Sequence, residues 1–369
     1  MHLPSSDAYK KDKPIVEPKY LKDLIVDPSF KKTYRGEDFL LGESGEANER
    51  VFLFSTPKNM KILSKNKNWM GDGTFAVLPL IFLQLYTILI CKNNFALPLA
   101  YGLLPNKTTK TYKAFFLLIK GFLTSMPLSF NVDFELATFN AVKFIFGPDV
   151  QIYGCYFHLS QSFFRNVQLK GLIVFFNTEK EFKKCFLLSQ ALAFLPIDDV
   201  TKGFELLRDY CNKNCSNYGL MLEYIETYYV GKKESKARFE IKTWNVNQRV
   251  LSGLPRTSNK LERFNREFNS DSGDYHQATH DIIENLRLEQ SLTEQTLLKI
   301  QMGQENPRNK LQNDLDNALK LVMLDYNKSE ILQFLLNIAL TIEKHNAIIN
   351  KSKGKKPKNI AIASDDSSD

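Results

Sequence analysis

Three acidic side chains in this sequence are of the type and placement that could hold divalent cations. They are Asp72 in Trp69-Met70-Gly71-Asp72-Gly73-Thr74-Phe75, Asp133 in Asn131-Val132-Asp133-Phe134-Glu135, and Glu262 in Arg256-Thr257-Ser258-Asn259-Lys260-Leu261-Glu262. Carboxylates are the hard oxygen donors that Mg²⁺ prefers, and a pair of such ions about 3.5–4 Å apart supports in-line displacement at phosphorus. One ion activates the attacking water or 3′-hydroxyl, and the other stabilises the leaving oxygen. Each residue also has a plainer reading. Asp72-Gly73 could form a turn, Asp133 could cap the helix behind it, and Asn259-x-x-Glu262 fits a capping box. Spacing alone leaves both readings open.

The helix that would carry Glu262 is amphipathic. Leu261, Phe264 and Phe268 make an apolar stripe at i, i+3 and i+7, so Glu262, Asn265, Arg266 and Asn269 share the opposite, polar face. That face matters chemically if it meets a sheet. A second constellation is Cys155-x-x-His158, which supplies two of the four ligands a structural zinc needs. Cys211-x3-Cys215 could complete the set, but zinc is not expected. Alternatively Cys155 is simply buried and His158 sits in the first turn of a helix. The reading we favour makes His158, Gln161 and Arg165, at i, i+3 and i+7, a polar stripe facing the active site or DNA.

These residues need elements to position them. Val51–Phe54 reads as a short strand, Trp69 to Val77 as a strand, Gln84 to Cys91 as the next, and Phe95 to Leu103 as another after turn chemistry at Lys92-Asn93-Asn94. Pro98 predicts an edge position for that last strand. Lys110–Leu123 has a helical pattern, Leu128–Val132 is a strand, Phe134–Phe146 a helix closed by Gly147-Pro148, Val150–Tyr153 a strand, and Phe157–Leu169 a helix. From Trp69 onward this is a three-stranded meander followed by strand-helix alternation. It predicts an α/β, ribonuclease-H-like fold with a mixed five-stranded sheet.

Residues 175 to 230 break the alternation with helices at Lys180–Leu195, Asp198–Tyr210 and Tyr218–Tyr229, while Trp244–Val250 returns towards the core. Helices then cover Asn259–Phe268, about Ala278–Met302 and Lys310–Asn350. The expected organisation is a partly ordered segment over 1–66, the first half of the core over 67–170 and a helical insertion over 171–243. A return to the core with the third carboxylate follows over 244–303, then C-terminal helices over 304–350 and a disordered tail over 351–369.

Composition sets the class. Of 369 residues, 43% are hydrophobic and 28 are Phe, which is ample for a core and excludes a disordered chain. The net charge of +8 is compatible with nucleic acid or an anionic membrane, without deciding between them. Five cysteines in this length do not make a disulfide framework, the N-terminus has no signal-peptide core, and the apolar run Ala76–Cys91 is too short to span a bilayer. A reducing compartment and no membrane partner are expected.

Several ordered segments together resemble the transposase domain of Mutator-like elements (MULE). They are Trp69–Phe75, Gln84–Ile88, Tyr101–Lys107, Asp133–Ala137 and Gly154–Gln161, followed by Leu192–Pro196, Leu251–Asn259 and Glu289–Glu294. The resemblance runs over roughly residues 50 to 295. It implies a DDE-type nuclease and strand-transfer enzyme in which Asp72, Asp133 and Glu262 bind two Mg²⁺ or Mn²⁺ ions. It also implies duplex DNA (element ends and target) as partner, a nuclear location and a possible homo-oligomer. Cys155-x-x-His158 matches the family's Cys-x-x-His signature. Around the third acid, Arg263, Phe264 and Asn265 stand where the family usually has Gly, Trp and His, which leaves Glu267 as a fallback. No zinc-binding recognition module is expected in the stretch before Asp72. The competing reading is a decayed or host-adopted relative that binds DNA or protein without cutting.

Overall fold

In the computed structural model the described residues are 17–75, 78–232, 234–257, 259–272 and 277–352. The strands are β1 (Leu40–Ser44), β2 (Val51–Phe54), β3 (Asn68–Thr74), β4 (Gln84–Lys92), β5 (Phe95–Leu104), β6 (Ser129–Val132) and β7 (Gln151–Gly154). They form one seven-stranded sheet in the order β1-β2-β5-β4-β3-β6-β7. The five-stranded expectation is therefore corrected by two strands. β2 pairs antiparallel with β5 and β1 with β2, so the segment before the meander extends the sheet. β1 has the sequence Leu-Leu-Gly-Glu-Ser, with neither alternation nor a β-branched residue, and carries no strand signal of its own.

The same pairing corrects the edge position expected from Pro98, because β5 lies between β2 and β4. The proline is tolerated because β2 reaches only Tyr101–Leu103, and the β4–β5 register shifts at Ile88/Leu89, opposite Pro98. Asn93 and Asn94 join β4 to β5 with positive φ at both positions, the conformation a two-residue type I′ hairpin demands.

The chain divides into two compact units: Met1–Phe130, Glu135–Val150 and Lys260–Glu305 form the first, and Asn131–Phe134, Gln151–Asn259 and Asn306–Asp369 the second. In the first unit, alternate β3 residues serve different layers. Trp69 packs edge-on against Phe130 and Phe146, on the side covered by α2 (Thr109–Lys120) and α3 (Leu136–Phe146). Met70 lies in the opposite core with Phe52, Tyr101, Leu261, Phe264, Phe268 and Ile282. That core is roofed by α11 (Asn259–Ser272) and α12 (Thr279–Gln301). A further helix, α1 (Pro57–Lys65), is started by Thr56, whose side chain accepts from Asn59 N–H, with Pro57 in the first turn.

The second unit is mainly helical: α4 (Tyr156–Leu169), α5 (Ile173–Thr178), α6 (Lys180–Ala191), α7 (Val200–Asn214), α8 (Gly219–Ile225), α9 (Ile241–Trp244), α10 (Asn247–Leu251), α13 (Lys310–Leu324) and α14 (Ile331–Ser352). The helical stretch expected over 310–350 is thus two helices, parted at Asp325-Tyr326-Asn327, where Asn327 begins a short 3₁₀ turn by accepting from Ser329 N–H. Aromatic packing centres on Tyr229, with Phe134, Phe163, Phe239 and Trp244 around it. The Trp244 indole N–H donates to the Tyr229 carbonyl at 2.8 Å. Ala76, Val77, Ser258 and residues 353–369, parts of the strand, motif and tail read above, lie outside the described residues.

Candidate metal centre

Asp72 sits inside β3, opposite Thr87 of β4, so Asp72-Gly73 is strand and not turn. The strand's alternation places Met70, Asp72 and Thr74 on one face, and Met70 belongs to the core beneath α11. Asp72 Oδ1 accepts from Gly73 N–H at 2.8 Å, and Oδ2 accepts from Asn265 Nδ2 at 3.1 Å. Two residues along the strand and one turn along the helix, Thr74 Oγ1 accepts from Asn269 Nδ2 at 2.7 Å.

The match of spacings is geometric. Two residues of strand rise about 6.7 Å and four residues of helix about 6 Å, so 72/74 and 265/269 stay in step. Leu261, Phe264 and Phe268 anchor the helix from its apolar side, Phe264 packing against Tyr101 with ring centroids 6.3 Å apart. Lys260 ties the start of α11 to the β4–β5 turn, donating to the Asn94 carbonyl at 2.7 Å.

The polar face read from sequence is therefore divided. Asn265 is buried, Asn269 and Glu262 are half-buried, and Arg266 is exposed. Glu262 lies one turn before Asn265 on the same helix. Glu267 is exposed and pairs with Arg263 at 2.7 Å. Asn265, a member of the polar face read from sequence and a departure from the family's usual residue, is the α11 side chain that donates to Asp72. The signal that could have found it is the shared 72/74 and 265/269 spacing.

In the second unit, Asp133 directly follows β6, which stands next to β3 in the strand order. It does not cap α3; its Oδ1 accepts from Phe134 N–H at 2.6 Å, and Glu135 occupies the N-cap. His158 Nδ1 is 3.4 Å from Asp133 Oδ1, with side-chain exposures of 16% and 49%. His158 stands in the first turn of α4, for which buried Cys155 is the N-cap. Gln161 is half-buried and Arg165 exposed, so the expected stripe opens to solvent along the helix.

The ground under Asp133 is tightly packed. A Cβ on Gly154 would lie 2.4 Å from the Phe134 ring, so glycine is required by close approach. Arg249 of α10 donates to the Gly154 carbonyl at 2.9 Å, and burial lowers its guanidinium to about 10. Burial, followed by the neighbouring Tyr224, pushes the Tyr229 phenol up, and Ser162 of α4 lies 2.8 Å from that hydroxyl.

Cys211 and Cys215 gather beside Cys185 of α6, a grouping that sequence spacing did not suggest. Hydrogen bonding with Cys211, then burial, pushes the Cys185 thiol well up, and burial raises Cys215 to about 11. Thiols raised by burial in this way are poor nucleophiles.

The family model of the MULE transposase domain matches residues 69–162. Over that stretch, about a quarter of its 369 residues, the chain is similar to a MULE transposase domain. The matched MULE stretch begins in β3 and ends within α4, so it contains Asp72, Asp133, Cys155, His158 and Gln161. Arg165 and the α11 residues Glu262, Asn265 and Glu267 lie beyond it, as does everything from 163 to 295 that the sequence reading joined to the same family. No curated protein and no solved structure matches the chain. Among the described residues, no helix within the MULE-like stretch or outside it is long and apolar enough to cross a membrane.

Proposed function

We propose that this chain is the catalytic part of a DDE-type DNA transposase, with a ribonuclease-H-like core. Asp72, Asp133 and Glu262 hold two divalent ions, Mg²⁺ or Mn²⁺, and the partner is duplex DNA. The observation that carries this reading is the MULE match over residues 69–162, which includes two of the three acids. The donors fit such a cation. Beside the Asp72 carboxylate lies the amide of Asn265, whose nitrogen donates to it and whose oxygen is buried without a hydrogen-bond partner; carboxylate and amide oxygens are both hard donors.

When bound, the ions activate the attacking oxygen and stabilise the leaving one. In the first step water attacks the scissile phosphorus at the element end, and the strand's 3′-oxygen leaves as a hydroxyl. In the second, that hydroxyl attacks a target phosphorus and displaces the target's own 3′-oxygen. Asp72 and Asp133 are the fixed anionic anchors, with His158 held against Asp133. The basic surface tracks phosphates without reading bases, in keeping with the net charge of +8. The protein acts in the nucleus and as a possible homo-oligomer.

The test is nicking and joining of DNA carrying the element's ends, with Mg²⁺ or Mn²⁺. Asp72→Asn and Asp133→Asn are each expected to abolish both reactions, and the double variant to be no worse than either. A second reading, DNA binding without cleavage, is favoured by Arg263, Phe264 and Asn265 replacing the residues usual beside the third acid. It prevails if wild type and Asp72→Asn are equally inert with every metal while DNA binding persists.

A further inference from the structure

We propose that Asn265 is itself a ligand of the divalent cation, its amide oxygen binding alongside a carboxylate oxygen of Asp72. This deepens the preceding proposal and rests on it. Asn265 is 8% exposed, and its head lies at the Asp72 carboxylate, with Nδ2 3.1 Å from Oδ2. Its Oδ1 is buried and accepts no hydrogen bond. Buried amide oxygens are ordinarily satisfied, and an orphan of this kind calls for a missing partner.

One turn further along α11 the contrast is plain. Asn269 uses both ends of its amide on Thr74, the nitrogen at 2.7 Å and the oxygen at 3.1 Å. Two amides on one helix face thus meet one strand face, one using both ends on Thr74 and the other giving its nitrogen to an anion while its oxygen is unused. Asparagine carbonyls and carboxylates are the oxygen donors that hard cations collect.

The amide nitrogen is the end turned towards Asp72. A half-turn of the terminal torsion exchanges nitrogen for oxygen, which is the favourable orientation once a positive ion lies against Asp72. On this assignment the asparagine at 265 has a role of its own and does not mark decay.

The experiment is Mn²⁺ binding to the full chain, measured by electron paramagnetic resonance and calorimetry. Wild type is compared with Asn265→Leu, Asn265→Asp and Asp72→Asn, each checked for folding by circular dichroism. Removing an oxygen donor is expected to weaken Mn²⁺ at least tenfold in Asn265→Leu, whereas Asn265→Asp retains or tightens binding. If N–H donation to Asp72 were the residue's sole role, aspartate would be at least as damaging as leucine, and that result overturns the proposal. So does an Asn265→Leu protein that binds as wild type does while Asp72→Asn does not; there the metal-site reading survives and the Asn265 assignment falls. If wild type binds no Mn²⁺, or Asp72→Asn binds it unchanged, both fall together. Should leucine prevent folding, the aspartate variant decides alone.

Discussion

Asn269 on α11 and Thr74 on β3 are joined by two side-chain hydrogen bonds, at 2.7 and 3.1 Å, across 195 residues of sequence. They form the second rung of a ladder whose first rung is Asn265 to Asp72. Asn269→Leu removes a rung without touching an acid. It should lower stability by about 1–2 kcal/mol, read as a shift of the denaturant midpoint. Its effect on Mn²⁺ affinity should be smaller than that of Asn265→Leu, because the helix remains held by Leu261, Phe264 and Phe268.

Gly154→Ala tests the packing beneath Asp133. The added methyl would lie 2.4 Å from the Phe134 ring, which is wedged against Tyr229 and Phe239 at centroid distances of 5.9 and 5.1 Å. A loss of about 1–3 kcal/mol in stability is expected, as for other overpacked sites. DNA nicking should fall as well, although every carboxylate is retained. Adding Phe134→Leu should recover most of the stability, a non-additivity expected of residues in contact.

The connection between α13 and α14 carries a pH-dependent tie. Asp199 accepts from Tyr326 O–H and from Lys328 Nζ, each at 2.8 Å. The hydrogen bond from Lys328, then that from Tyr326, holds the Asp199 carboxyl below its ordinary value of 3.8. A lowered carboxyl stabilises the fold fully above 3.8 and loses that contribution as pH falls through the lower folded value. Asp199→Asn should therefore be less stable than wild type at pH 7, by about 1 kcal/mol, with the two curves converging below pH 3.8. A stability difference that grew on acidification would contradict the tie.

Binding to duplex DNA should be governed by phosphate contacts. With a net charge of +8, affinity should fall steeply and log-linearly with salt and vary little among sequences. Fluorescence anisotropy at several salt concentrations on unrelated duplexes measures both. Tight, salt-insensitive binding to one sequence would be at odds with it.

Much of the fold was legible because its signals are local. The Asn93-Asn94 turn, the four-residue apolar run of β2 and the periodic faces of α2, α4 and α11 all state their conformation within a few residues. β1 and the inner position of β5 were not legible, since strand order is set by pairing partners far apart in sequence. At the candidate site, the individual acids could be picked out by type, and the polar face of α11 by period. Which member of that face meets Asp72 depends on how the helix is rotated over the sheet. That rotation is fixed by the burial of Leu261, Phe264 and Phe268, a property of the packed core. Cys185, Cys211 and Cys215 show the same limit: α6 and α7 bring together thiols whose spacing says nothing of their meeting.

The bond between Asp72 and Asn265 also has a consequence in time. Its two ends are separated by 193 residues, and the intervening chain includes much of the helical second unit. At a synthesis rate of about 5–20 residues per second, a nascent chain displays β3 for roughly 10–40 s before α11 exists to cover it. During that interval the Met70–Asp72–Thr74 face of β3 lacks its roof, and long-range closure of this kind is slow. The contact between Asp72 and Asn265 therefore matures late relative to the strand that carries Asp72, and a ribosome-stalled chain ending before Asn259 should present an open sheet face to chaperones.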